Sequence, residues 1–185
     1  MNTKRIAVAT TVGTFAVLAL MLAYPAMAAT VANQAAAPSM TPAQLLQDPS
    51  RAVAHKIDLS AGQTISLNSV AGGWREVGNP LQNGTASGTL TLQVTGAFTG
   101  GYALSVTGGS LIVNGTTYTI SSGSAEMGPY GIHMVGQGQA GTASFLFGFR
   151  DIGKFGSTDY AIVRVDLKAG SSEYIARLLV TVNVS

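Results

Sequence analysis

From about Arg51 onward, hydrophobic and polar residues alternate along the chain with a period of two. In "GTLTLQVTGAF", Leu90, Leu92, Val94 and Phe98 fall on one face, and Thr89, Thr91, Gln93 and Thr95 fall on the other. Successive side chains of a strand point to opposite sides, so this is a strand with one buried face. "TASFLFGFR" repeats the pattern with Phe145, Phe147 and Phe149, and "EYIARLLVTVNV" does so with Tyr174, Ala176, Leu178, Val180 and Val182. Arg150 and Arg177 fall on the opposite faces of these two segments.

Two hairpins can be specified by register. Asn114-Gly115 in "SLIVNGTTYTI" supplies the positive φ angles of a two-residue type I′ turn, which sets Val113 against Thr116 and Leu111 against Tyr118. Leu111, Val113, Tyr118 and Ile120 then share a face. Between "YAIVRVDLK" and "EYIARLLV", the turn Ala169-Gly170-Ser171-Ser172 sets Lys168 against Glu173. Val163, Val165 and Leu167 then join Tyr174, Ala176 and Leu178 on the core side, with Asp166 diagonal to Arg177 on the solvent side.

With "KIDL", "QTISLNSV", "GYALSVT" and "GIHMVGQ", the chain carries about nine short strands separated by Gly, Ser and Asn turns. No helical period lies between them, which predicts an all-β antiparallel meander forming a sandwich or a closed barrel. The 23 glycines fit this class, since glycine is costly inside elements but suited to tight turns and bulges.

The N-terminus has a different pattern. Residues 1–28 run from Lys4 and Arg5 through an apolar stretch, Ile6 to Leu22, to Pro25 and Ala26-Met27-Ala28. This is the plan of a secretory signal peptide, with cleavage expected after Ala28 or Ala29. The alternative is an uncleaved anchor, because the apolar stretch approaches the roughly 20 residues that span a bilayer. Residues 29–50 read as a flexible Ala-rich tether carrying a short helix, opened by Thr41-Pro42-Ala43-Gln44 and stopped by Asp48-Pro49. Residues 51–185 form a single β domain. The expected location is therefore secreted or cell surface, with membrane contact only through an N-terminal segment that is retained.

Charge and composition narrow the function classes. The chain has 10 basic and 8 acidic residues, but Lys4 and Arg5 leave with the signal, so the processed chain is balanced. No basic stripe remains, and the electrostatic footprint of a nucleic-acid binder is missing. With no cysteine, an exported domain must be held by core burial alone. A transmembrane β-barrel is disfavoured because Arg164, Asp166 and Arg177 sit in mid-strand opposite the apolar face.

Chemistry-bearing residues are sparse. A Ser-His-Asp set needs a histidine between nucleophile and carboxylate, and His55 and His133 lie in no nucleophile-elbow sequence. Asp58, Glu76, Glu126, Asp151, Asp159, Asp166 and Glu173 fall at turns and strand ends, where ordinary surface charges stand. His133 with Met127 or Met134 would suit copper, but neighbours in a strand point to opposite faces. A turn at Pro129-Tyr130 sets Met127 beside Ile132 and Glu126 beside His133, which pairs the imidazole with a carboxylate and not with an ion. No catalytic, cofactor-binding or metal-ligating residue is therefore assigned, and no enzyme activity or cofactor is expected.

Two kinds of candidate remain. "GFRDIGKFGSTDY" gathers Arg150, Asp151, Lys154 and Asp159 as a candidate recognition loop, or else as a long connection held by Arg150 or Lys154 paired with Asp159. Asn83, Asn114 and Asn183 each begin an N-x-[ST] sequon, with Asn114 at an exposed hairpin tip. Trp74 in "AGGWREVGNP" is expected to be buried.

The stretches "GTASGTLTLQVTGAFTGGYALSVTGG", "GSAEMGPYGIHMVGQGQ", "GKFGSTDYAIVRVDL" and "RLLVTV" resemble a group of uncharacterised, exported β-rich proteins of ammonia-oxidising archaea. The resemblance spans roughly residues 57 to 183 and rests on several separated glycine-anchored phrases. It implies an archaeal cell exterior and carries over no catalytic or binding residue. The expected role is a non-catalytic envelope or extracellular structural and interaction protein, self-associating through sheet edges or binding other envelope proteins. The alternative is an extracellular barrel that binds a small ligand or a metal.

Overall fold

The computed structural model describes residues 58–185; the expected signal, tether and short helix, together with His55, lie outside them. Ten antiparallel strands follow in chain order. They are β1 (Thr64–Glu76), β2 (Asn79–Thr85), β3 (Ser87–Phe98), β4 (Gly101–Val113), β5 (Thr116–Ile120), β6 (Ser122–Met127), β7 (His133–Ala140), β8 (Ala143–Phe155), β9 (Thr158–Ala169) and β10 (Ser172–Val184). Strand β10 pairs with β1 from Glu76↔Tyr174 to Ile65↔Val184, so the sheet closes on itself. The fold is thus a barrel, not a sandwich.

Eight strands make the closed wall, in the order β1, β3, β4, β6, β7, β8, β9, β10. Strands β2 and β5 are the two extras, and each extends a neighbour. β2 and β3 flank the same edge of β1, interrupted at Ala86, while β5 and β6 flank the same edge of β4, interrupted at Ser121. This explains a count of ten where alternation predicts about nine. The sequence of β2, "NPLQNGT", is exposed at every position and carries no alternation to be read.

Both specified hairpins form as expected. Asn114 and Gly115 have φ of 51° and 71°, and Val113 pairs with Thr116 and Leu111 with Tyr118. Lys168 pairs with Glu173, their side chains 3.5 Å apart, and Val165 with Ala176. Arg164 lands opposite Arg177, a like-charge juxtaposition that would be unfavourable alone. Asp166 relieves it by accepting hydrogen bonds from Arg164 Nε and Nη2 at 3.1 and 3.0 Å.

Four single-residue bulges shape the wall, at Val70, Thr95, Thr107 and Ile152. Each inserts one unpaired residue, bends its strand and reverses the in-out alternation beyond it. The bulge at Thr95 corrects one expectation. Leu90, Leu92 and Val94 are buried, but Phe98, beyond the bulge, is 50% exposed.

The barrel interior is the core. Phe145, Phe147 and Phe149 of β8 project inward together with Leu90, Leu92, Met127, Met134, Leu178 and Val180. Room for the phenylalanine rings comes from glycines on β7. Gly136 pairs with Phe147 and Gly138 with Phe145. A Cβ at Gly136 would lie 2.4 Å from Phe147 Cζ, and one at Gly138 2.5 Å from Phe145 Cζ, so neither position admits a side chain without displacing a ring. Towards the rim that bears the β1–β2 and β9–β10 turns, Trp74 packs edge-to-face on Tyr174, ring centroids 5.5 Å apart, and is buried as expected. Outside, Arg150, Arg164, Lys168 and Arg177 are exposed. The outer wall thus carries charged residues in mid-strand, beside exposed apolar ones such as Val135 and Leu146, while the interior is apolar. Among the described residues no helix is long and apolar enough to cross a membrane.

Candidate functional site

The barrel has two ends. The rim that bears the chain's entry at Asp58 also carries the β3–β4, β6–β7 and β8–β9 turns. The far rim carries the β1–β2, β4–β5, β7–β8 and β9–β10 turns.

The stretch from Gly148 to Tyr160, expected as a long loop, is instead a hairpin. β8 runs to Phe155, β9 begins at Thr158, and only Gly156-Ser157 turns, with Gly156 at φ 64°. The four candidate residues are accordingly separated by the walls of the barrel. Arg150 is on the outer face opposite His133. Asp151 is 5% exposed, and its Oδ1 accepts the Gly153 N–H at 3.0 Å across the Ile152 bulge. Lys154 and Asp159 face each other across the hairpin, Nζ to Oδ2 3.6 Å. Lys154 with Asp159 is one of the pairings expected of a structural connection. Partly exposed, this pair contributes at most about 1 kcal/mol. The hairpin therefore holds its own end together instead of gathering four charges around a ligand.

The β6–β7 turn also departs from expectation. Met127 pairs with Met134 and Glu126 with Val135, so Glu126 does not face His133. The loop is longer than a two-residue turn. Gly131 donates to the Gly128 carbonyl at 3.0 Å, closing a turn over Pro129-Tyr130. Gly131 then takes φ 70°, and Gly128 donates to the His133 carbonyl at 2.9 Å. The extra residues shift the register by two. His133 instead sits beside Arg150 on the outer wall, while Met127 and Met134 are 1% exposed inside it. Partial desolvation first, and the Arg150 guanidinium second, hold the His133 pKa below the ordinary imidazole value of 6.5. The imidazole and both thioethers lie on opposite sides of the wall and cannot share an ion. Among the described residues no group of three or more His, Cys, Asp or Glu side chains converges as a metal site would require.

Within the barrel, a cavity of about 30 Å³ lies between Leu67, Leu90, Leu111, Phe145, Phe147 and Leu178. That is room for roughly one water molecule, and its apolar lining offers a water nothing to bond.

The three sequons occupy different environments. Asn114 stands at the tip of the β4–β5 hairpin. Asn83 is in β2, its Nδ2 donating to the carbonyls of Pro80 and Leu81 at 3.4 and 3.3 Å. Asn183 is in β10, paired with Ser66 in the wall.

Exposed apolar residues form a feature that alternation does not reveal. Phe98 and Tyr130, 50% and 62% exposed, lie on the β3–β4 and β6–β7 turns, which rise side by side because Tyr102 pairs with Met127. At the far rim Leu81 of β2 is 91% exposed. The available signal was the isolation of these residues among Gly, Pro, Asn and Thr. In comparison with known proteins, no family model and no curated sequence matches the chain.

Proposed function

We propose that the protein is an exported, non-catalytic component of the cell envelope or extracellular matrix. Its barrel serves as a rigid scaffold that presents the rims to other envelope proteins or to further copies of the chain. The observation that carries this reading is the filled interior. Phenylalanine, leucine and methionine side chains occupy the space in which a binding barrel would hold a ligand, and the cavity they line between Leu67, Leu90, Phe145 and Phe147 has a volume of about 30 Å³. The signal-like N-terminus and the resemblance to exported archaeal proteins support the location.

Closure of the sheet limits how copies could join through strand edges, because a closed wall offers none. Strand β2 ends the sheet path beyond β1, and its other edge has no ladder partner among the described residues. Pro80 and the polar residues of β2 restrain this edge, while Leu81 gives it an apolar contact point.

Native mass spectrometry of the full chain, purified from its own cells, tests the proposal. Oligomers or complexes with other envelope proteins are expected, and Leu81→Asp should diminish any self-association that uses β2. A stoichiometric small ligand or metal retained by a monomer would overturn it.

A further inference from the structure

Charges that balance in the sequence are separated on the barrel. Lys154, Arg164 and Lys168 are paired with Asp159, Asp166 and Glu173. Among the described residues no carboxylate pairs with Arg75, Arg150 or Arg177, and all three are exposed. The registers bring these three into line with Arg164. Arg164 is opposite Arg177. Arg150 is opposite Ile162, two residues from Arg164 on β9, and Arg75 is opposite Ile175, two residues from Arg177 on β10. All four point outward, because their chain neighbours Phe149, Val163, Leu178 and Trp74 belong to the core. No basic run in the sequence marks this line, since each arginine comes from a different strand.

The line follows the barrel axis. From Arg150 to Arg75 it crosses three strand spacings of about 4.8 Å and advances four residues of about 3.3 Å, a span of about 20 Å. A circuit of the hydrogen-bond ladder that leaves β1 at Thr64 returns to β1 at Arg75, towards the far rim. Strands staggered in this way are tilted by about 35–45° to the axis. Crossing from β8 to β1 and advancing along the strands therefore both climb towards the far rim, while their sideways displacements oppose and nearly cancel.

A stripe parallel to the axis is the line along which a convex wall meets an extended partner. Four arginines over that span have a mean spacing of about 6.6 Å, the two-residue repeat of an extended peptide, whose alternate side chains share a face. The planar guanidinium fork takes a carboxylate bidentately. Gly148 and Gly73 stand beside Arg164 and Arg177 on the same rung, so the central pair is clear on both flanks. Apolar contacts border the stripe at exposed Leu146 and, on the rung of Arg150, at the outward Ile162 and Leu179, which cluster with Ile152. A second copy does not supply the acidic partner. Its Asp159, Asp166 and Glu173 are paired, Asp58 and Asp151 are engaged, and Glu76 and Glu126 lie three strands apart.

We propose that the outer wall from β8 to β1 binds an extended, carboxylate-rich polypeptide segment of another protein along the line of Arg150, Arg164, Arg177 and Arg75. Alternate Asp or Glu side chains of that segment pair with the guanidiniums. This contact uses the wall and not the rims, so it stands or falls separately from the scaffold reading.

Fluorescence anisotropy tests it, with the full chain titrated into a labelled peptide of alternating Glu and Val, about ten residues long so that it outreaches the stripe. An ionic strength of about 0.01 M keeps the charges unscreened over the length of the stripe. Arg150→Gln with Arg177→Gln removes two unpaired charges from the stripe, and Lys154→Gln with Lys168→Gln removes two charges that lie off it. The first pair should weaken binding about tenfold or more. The second should weaken it by less than about threefold. Urea unfolding checks that both variants keep the cooperative fold. Arg150→Lys with Arg177→Lys, which keeps the charge without the fork, should fall between the two. Equal weakening by the two Gln variants, or no binding of the peptide by the parent, would overturn the proposal. So would tighter, stripe-dependent binding of polygalacturonate, of an oligonucleotide of matched charge or of anionic vesicles, which would make a glycan, a nucleic acid or a membrane the occupant.

Discussion

His133 shows how one added loop turn changes the chemistry of a residue. A tight turn at Pro129-Tyr130 would have paired it with Glu126, and a carboxylate partner would raise an imidazole pKa. The structure gives it Arg150 instead, and desolvation together with that cation lowers the pKa below 6.5. The sign of the consequence reverses accordingly. Below pH 6.5 the unfolded chain binds a proton that the folded chain does not yet bind, so stability is lost as pH falls from 6.5 towards the depressed folded value. His133→Gln should flatten that part of the profile, while above pH 7 the two proteins should respond alike to pH. Urea unfolding at half-unit pH steps between 5 and 7.5 checks this. A parent whose stability rises through that range as pH falls, with the rise removed in His133→Gln, would contradict the assigned environment.

At the scale of strands, large side chains on one strand are matched to absent side chains on the next. The Phe145, Phe147 and Phe149 stripe stands out in the sequence, whereas the glycines of "GQGQ" read only as flexible punctuation. The register converts Gly136 and Gly138 into sockets for two of those rings. Gly136→Ala should destabilise the barrel by about 1–3 kcal/mol through overpacking. Combining it with Phe147→Leu should cost less than the sum of the two single changes, as coupled neighbours do. A double-mutant cycle in urea measures this, and strict additivity would separate the two residues. Legibility followed the same physics. Hairpins with decisive turn residues, Asn114-Gly115 and Ala169 to Ser172, were readable to the exact pair, as were the inward faces of β8, β9 and β10. Bulges were not, because an inserted Thr95 or Ile152 looks like any other strand residue while reversing the faces beyond it. That is why Phe98 leaves the core, and why Ile152 joins an outward cluster. The candidate loop at Gly148 to Tyr160 was misread for a related reason: its charged, Gly-bearing sequence resembles a connection, yet the backbone pairs almost to the tip.

For the whole molecule, closure is the property that no single strand reveals, since it depends on β10 returning to β1 over the full length of both. Closure also governs how the core responds to loss. In an open sheet a strand can move inward to fill a void, but here each wall strand is hydrogen-bonded on both sides, so the perimeter cannot shorten without breaking a ladder. Phe147→Ala should therefore lie towards the upper part of the usual cost of such truncations, about 3–5 kcal/mol, with an unchanged dependence on urea. The vacated space would merge with the existing apolar cavity, which Phe147 already lines. A small apolar molecule such as benzene should then stabilise Phe147→Ala by mass action, and leave the parent unaffected. Unfolding midpoints with and without saturating benzene provide the measurement. Benzene stabilisation of the parent would mean that the native interior already admits guests, which would return the small-ligand reading to favour. Stabilisation confined to the variant would mean that the native side chains themselves fill the interior, as the scaffold reading requires.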